Sequence, residues 1–152
     1  MSAEARLQEL GITLPPAAPA AGLYASVVQT GSLLFVSGQI PVADGKVARR
    51  GKCGADVSVE EGQELARLCT LNGLAAVRAH LGTLDRVVRV VRVGGFVASA
   101  EGFTEQPLVV NGASQLLIDV FGEEGRHARA AVGVAELPLG VPVEVEFLFE
   151  VR

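Results

Sequence analysis

The chain has 152 residues and a net charge of −4, and it is 49% hydrophobic against 20% charged. That length predicts one domain with a real core. The acidic balance and the scarcity of aromatic side chains (no Trp, one Tyr, six Phe) argue against a dedicated nucleic-acid binder, and no run approaches the ~18 uninterrupted apolar residues of a membrane helix.

A mean hydropathy of +0.39 is high for such a domain, and surplus apolar surface predicts an oligomer. The N-terminus, MSAEARLQELGI, is acidic early and lacks an apolar core segment. It therefore predicts a short helix over Ala3–Leu10 instead of a secretory signal, with the cytoplasm as the default location. Pro15–Ala21 (PPAAPAA) reads as an extended lead-in, so residues 1–21 form a lead segment within one domain spanning 1–152. Ala25–Gln29 and Leu33–Ser37 read as the strands of a hairpin across Thr30-Gly31-Ser32, and Ala43-Asp44-Gly45 is a further turn. Lys46, Arg49, Arg50 and Lys52 make a basic cluster, expected to be a solvated loop.

Ser58, with Glu61 three residues on, forms a capping box. It opens a helix over Val59–Leu81 that stops at Gly82, with Leu65, Leu68, Cys69, Ala75, Ala76 and Ala79 as its apolar stripe. Arg86–Ala98 is dense in valine, which favours a strand. Pro107 fits the first turn of a second long helix, whose stripe is Val109, Ala113, Leu116, Leu117 and Val120 and whose end is Gly122.

The last twenty-six residues are the most informative. Val143, Val145, Phe147, Phe149 and Val151 point one way, and Glu144, Glu146, Leu148 and Glu150 point the other, the period of a half-buried strand. Ala128–Ala135 has the same period, with Arg129, Ala131, Gly133 and Ala135 on one face. Joined across Leu137–Val141, the two runs are expected to pair as an antiparallel hairpin. That pairing would put Arg129 and Glu144 near one another on the face away from the Val/Phe stripe. A guanidinium beside tiny side chains suits a small carboxylate; an exposed edge-strand arginine, or a simple salt bridge to Glu144, fits the spacing as well. The order β-β-(short β)-α-β-α-β-β predicts an α+β domain with two helices on one face of a mixed sheet.

Other chemistries find little support. His80 and His127 are the only histidines, and neither has a second ligand at metal-binding spacing. His80 is expected to satisfy a helix dipole, and His127 shares a strand face with Arg129 as a candidate for the rim of a pocket. Cys53 and Cys69 form no CxxC and predict no disulfide. Without a GxSxG, P-loop or GxGxxG motif, neither nucleophilic catalysis nor a nucleotide cofactor is implied.

The run Leu33-Leu-Phe-Val-Ser-Gly-Gln-Ile-Pro41, the acid-capped helix, Ala128-Arg129, Val134-Ala-Glu-Leu-Pro138 and Val143-Glu-Val-Glu146, in that order, closely resembles the YjgF/RidA family, also named the L-PSP endoribonuclease family. The resemblance covers about Pro15 to Arg152. It implies a chorismate-mutase-like α+β fold, a homotrimer with pockets between subunits, and no cofactor. It also implies hydrolysis of 2-imino acids of the 2-iminobutanoate/2-iminopropanoate type to 2-keto acids and ammonia. By resemblance Arg129 binds the substrate carboxylate and Glu144 positions a water, while Tyr24, Ser37, Gly38, Asn111 and Ala131 line the pocket. Ala131 stands where family members often carry cysteine, and one extra residue separates Asn111 from Arg129. An endoribonuclease or RNA-binding role, and a non-catalytic trimer binding small metabolites, are the competing readings.

Overall fold

The computed structural model describes residues 1–152. Ser2 caps a short first helix, α1 (Ala3–Glu9), its hydroxyl accepting from the Ala5 amide. An extended segment leads to β1 (Val27–Thr30) and β2 (Leu33–Gln39), an antiparallel hairpin that turns at Gly31 with φ +57°. A small second sheet follows, β3 (Val42–Ala43) against β4 (Lys46–Val47).

The expected capping box opens α2 (Val59–Leu81): the Ser58 hydroxyl accepts from the Glu61 amide, and Gly82 closes the helix in the left-handed conformation. The buried stripe of α2 differs slightly from the spacing estimate. Leu65, Ala66, Cys69, Gly73, Leu74 and Val77 face the sheet, whereas Leu68 is half-buried and Ala79 is exposed. Then come β5 (Val87–Ala98), α3 (Gln106–Phe121), β6 (Ala128–Val134) and β7 (Val143–Val151).

The five-stranded sheet has the order β1-β2-β7-β5-β6. The expected hairpin between the last two strands is therefore absent: β5 lies between them, antiparallel to β7 and parallel to β6. The physical reason is the helix between β5 and β6. A strand, a crossover helix and a strand make two parallel neighbours, and α3 spans the return. The 135–142 connection instead passes over the end of β5, where the Ala98 amide donates to the Pro142 carbonyl and the Ser99 amide to the Val134 carbonyl.

Both long helices lie on one face, as expected. Val93, Val97, Val143, Val145, Phe147 and Phe149 are buried beneath Leu65, Leu74, Val110 and Leu117. Glycine permits the closest approaches: a Cβ on Gly112 would press into the Gln63 backbone, and one on Gly95 into the Val110 side chain. No helix covers the opposite sheet face. It carries Val28, Phe35, Leu148, Phe96 and Val132 among Arg89, Arg92, Glu144, Glu146 and Glu150, as the strand registers require. Phe35 is 46% exposed there and Val132 45%.

Candidate active site

Residues paired directly across neighbouring strands point to the same side of a sheet. Arg129 pairs with the core residue Val93, so its side chain leaves β6 on the helix face. Glu144 pairs with Phe96 and leaves β7 on the uncovered face. The two residues thus stand on opposite faces, two strands apart, roughly 10 Å across the sheet. The sequence expectation of a shared face is corrected by the insertion of β5, which sets the two strands independently.

Each residue has its own company. Arg129 reaches the N-terminal half of α3. Its Nη1 donates to Asn111 Oδ1 at 2.8 Å and to Ser114 Oγ at 3.1 Å, and Nη2 donates to the Pro107 carbonyl at 3.3 Å. Three of five guanidinium N–H groups are thereby held, and two remain for a ligand, the number a bidentate carboxylate accepts. No acidic side chain pairs with Arg129, so neither the salt bridge to Glu144 nor the freely exposed arginine describes it. Ala131 sits two residues along on the same face, packed against the core, and Gly133 follows beside Gln106 and Ser99.

Ser114 and His127 extend this group, and sequence reasoning had not connected them to Arg129. Ser114 lies one turn after Asn111 on α3, a spacing that puts both on one face. Its Oγ is 2.9 Å from His127 Nε2, while His127 Nδ1 is 2.6 Å from the Gly125 carbonyl. A carbonyl only accepts, so Nδ1 carries the proton and Nε2 accepts from the Ser114 hydroxyl. Burial lowers the His127 pKa; the Gly125 bond opposes this and the Arg129 charge adds to it. A neutral imidazole follows.

The second group lies at the end of β2. The register between β2 and β7 slips between Val36 and Gln39, and there Glu144 lies over Gly38: a Cβ at position 38 would come 3.0 Å from Glu144 Cδ and closer to Oε2. Burial raises the Glu144 pKa, and the Glu146 charge raises it further. Ser37 Oγ donates to the Ala25 carbonyl at 2.6 Å and its amide to Ser26, tying down the segment that carries Tyr24. Tyr24 is 54% exposed and, like Leu23, projects from the surface. The residues expected to line one pocket thus fall into two groups, Tyr24, Ser37, Gly38 and Glu144 around the end of β2, and Arg129, Asn111 and Ala131 on the helix face of β6.

The remaining candidates fall away from both. His80 bonds Gln29 through Nε2 at 2.9 Å. Cys53 and Cys69 are free and buried, and burial pushes the Cys53 thiol up to about 11. The basic loop is solvent-exposed at Lys46, Arg49 and Arg50, as expected, but three of its cations have partners. Arg49 pairs with Glu61, Arg50 Nε donates to the Leu139 carbonyl, and Lys52 pairs with Glu136 at 2.8 Å. No three potential ligands cluster as a metal site would need, and no helix is long and apolar enough to cross a membrane.

A mixed sheet with helices on one face and a β5–α3–β6 crossover defines an α+β domain of chorismate-mutase-like architecture. The chain belongs to the YjgF/chorismate-mutase-like family, whose description adds a provisional endoribonuclease label and whose model matches residues 4–151. Protein TCP17 of Trypanosoma cruzi is 53% identical over 149 residues, 97% of this chain and 93% of that protein. The crystal structure of Atu1372, a protein of unknown function from Agrobacterium tumefaciens, superposes with a TM-score of 0.91. It is 50% identical and matches over 99% of this chain and 92% of its own. TdcF of E. coli, solved with bound serine, gives a TM-score of 0.62 at 27% identity, over 90% of this chain and 93% of its own. A fission-yeast relative, 29% identical over 134 residues, is named mitochondrial.

Proposed function

We propose that the protein hydrolyses small 2-imino acids to 2-keto acids and ammonia, at sites completed between copies of the chain in a homotrimer. The observation that carries this reading is Arg129, with three N–H groups held by Asn111, Ser114 and Pro107 and two left over. Such a guanidinium is preorganised for a carboxylate, and the serine bound to TdcF carries one too.

The separation of the two groups supports the shared site. Arg129 and Glu144 on opposite faces of one sheet cannot both touch a small substrate, so a second copy brings the complement. The uncovered face, with Phe35, Phe96, Leu148 and Val132, supplies apolar surface for that association. In the reaction Arg129 holds the carboxylate. The iminium carbon is already electrophilic, and Glu144 takes a proton from the water that attacks it. Glu144 passes that proton to the nitrogen of the resulting carbinolamine, then takes the hydroxyl proton as the C–N bond breaks, and ammonia leaves as the C=O forms. A Glu144 pKa raised by burial suits a group that must both accept and return a proton. The reading calls for no cofactor. It is compatible with the cytoplasm, where two unpaired cysteines stay reduced.

The RNA alternative loses its local support, since three of the four basic loop residues are tied to acidic or carbonyl partners. The test generates 2-iminobutanoate with a threonine dehydratase and follows its loss with and without the protein. Acceleration that falls at least ~100-fold in Arg129→Ala is the expected result. No acceleration across several amino-acid-derived imines would sink the proposal in favour of a binding role.

A further inference from the structure

Arg129 is a long side chain on an edge strand, and such a side chain loses about 2 kcal/mol of rotamer freedom when fixed. The fold fixes it through a chain of directed bonds. The Gly125 carbonyl ends the 3-10 turn after α3 and sets the imidazole of His127 with Nδ1 protonated. The bare Nε2 then takes the Ser114 hydroxyl proton, which turns the Ser114 lone pairs toward Arg129 Nη1. Had His127 the other tautomer, Nε2–H would compete with Nη1 for the same oxygen, and the serine hydroxyl would need another acceptor.

We propose that Ser114 and His127 are positioning residues for Arg129, a relay that orients the guanidinium toward a bound carboxylate without touching the substrate. This rests on the deaminase reading for its substrate, but not for its geometry. Asn111 and Pro107 hold the other two donors, so losing the relay leaves Arg129 attached but less firmly oriented. The loss therefore falls on carboxylate binding, not on the chemical step: an anchor that holds substrate and transition state alike changes KM and leaves kcat.

The experiment uses Ser114→Ala, His127→Ala, their double variant and Ser114→Thr. Each is assayed for imine hydrolysis, and for binding of 2-ketobutanoate, the carboxylate product, by calorimetry. Ser114→Ala is expected to raise KM and the 2-ketobutanoate Kd by about tenfold, the range of one hydrogen bond to a charged group, with kcat within about twofold. His127→Ala does the same, the double variant is no worse than either single one, and Ser114→Thr restores binding because it keeps the hydroxyl.

Nitrogen-15 spectra give a readout independent of turnover. The wild-type His127 shows the Nδ1–H tautomer, and Ser114→Ala shifts both the His127 Nε2 signal and that of Arg129 Nη1, which loses one of its two acceptors. A wild type that neither hydrolyses imines nor binds 2-ketobutanoate, yet shows these couplings, loses the deaminase function and keeps the relay. Unchanged KM, Kd and Arg129 signals in Ser114→Ala, or strictly additive losses in the double variant, would overturn it.

Discussion

Gly112→Ala tests the crossing of α2 and α3, which carries Asn111 to Arg129. An added Cβ would stand 2.7 Å from the Gln63 carbonyl carbon and 2.8 Å from its Cα, and nearer still to the oxygen. Ordinary carbon–carbon contact begins near 3.5 Å, so the two backbones must part by at least ~0.7 Å. Neither side is a flexible side chain that could swing away. Overpacking of this kind costs about 1–3 kcal/mol, and a rigid backbone neighbour puts it at the top of that range. Replacing a helical glycine by alanine returns about 1 kcal/mol, leaving a net loss of about 2 kcal/mol. With a urea dependence of about 2 kcal/mol per molar, the unfolding midpoint should fall by about 1 M. Gly73→Ala meets the Phe147 ring at 2.7 Å and Gly62→Ala meets a Val109 methyl at 2.9 Å, in each case a side chain and not backbone. The expected order of loss, by urea unfolding followed by far-UV circular dichroism, is Gly112, then Gly73, then Gly62. A Gly112→Ala protein as stable as the wild type would refute the reasoning, because the helices would then not be held at backbone contact.

Gly38→Ala places its clash on the movable end of Glu144, so the carboxylate should be displaced with little effect on the fold. Imine hydrolysis is expected to drop at least ~100-fold while the thermal midpoint moves only a few degrees; kinetics and a thermal scan decide. Glu144 also predicts a pH dependence. Its folded pKa is raised by burial, so its stabilising contribution is complete below the ordinary carboxylate pKa and is lost as pH rises through the raised value. Glu144→Gln should flatten urea midpoints across that window and hold above the wild type at neutral pH. In the wild-type protein the acidic limb of kcat/KM for imine hydrolysis should be displaced upward from the ordinary glutamate pKa, as a pH profile would show.

Local grammar was readable and neighbourhood was not. Ser58 and Glu61 announced α2 because a capping box is a contact between residues three apart, and β7 announced itself because burial on one face imposes a period of two. The same alternation gave the wrong partner for β6, since period says which side chains share a face but nothing of which strand lies alongside. One signal for the true pairing was present: a helical segment between Val87–Ala98 and Ala128–Val134 favours a parallel crossover. At the candidate site the residues carried by resemblance split into two groups, which linear spacing could not reveal. Ser114 went unnoticed because a serine inside a helix is ordinary until an arginine from another strand arrives at its oxygen.

The strand that separates β6 from β7 also has a genetic consequence. If each seam takes Arg129 from one chain and Glu144 from the next, a chain lacking one is not equivalent to a chain lacking both. Arg129→Ala and Glu144→Gln proteins, each inactive alone, should recover activity when unfolded together and refolded as a mixture. Random assembly around a closed ring makes about a quarter of the seams whole. The double variant mixed with itself recovers none, so two silent alleles would complement where one doubly altered allele could not.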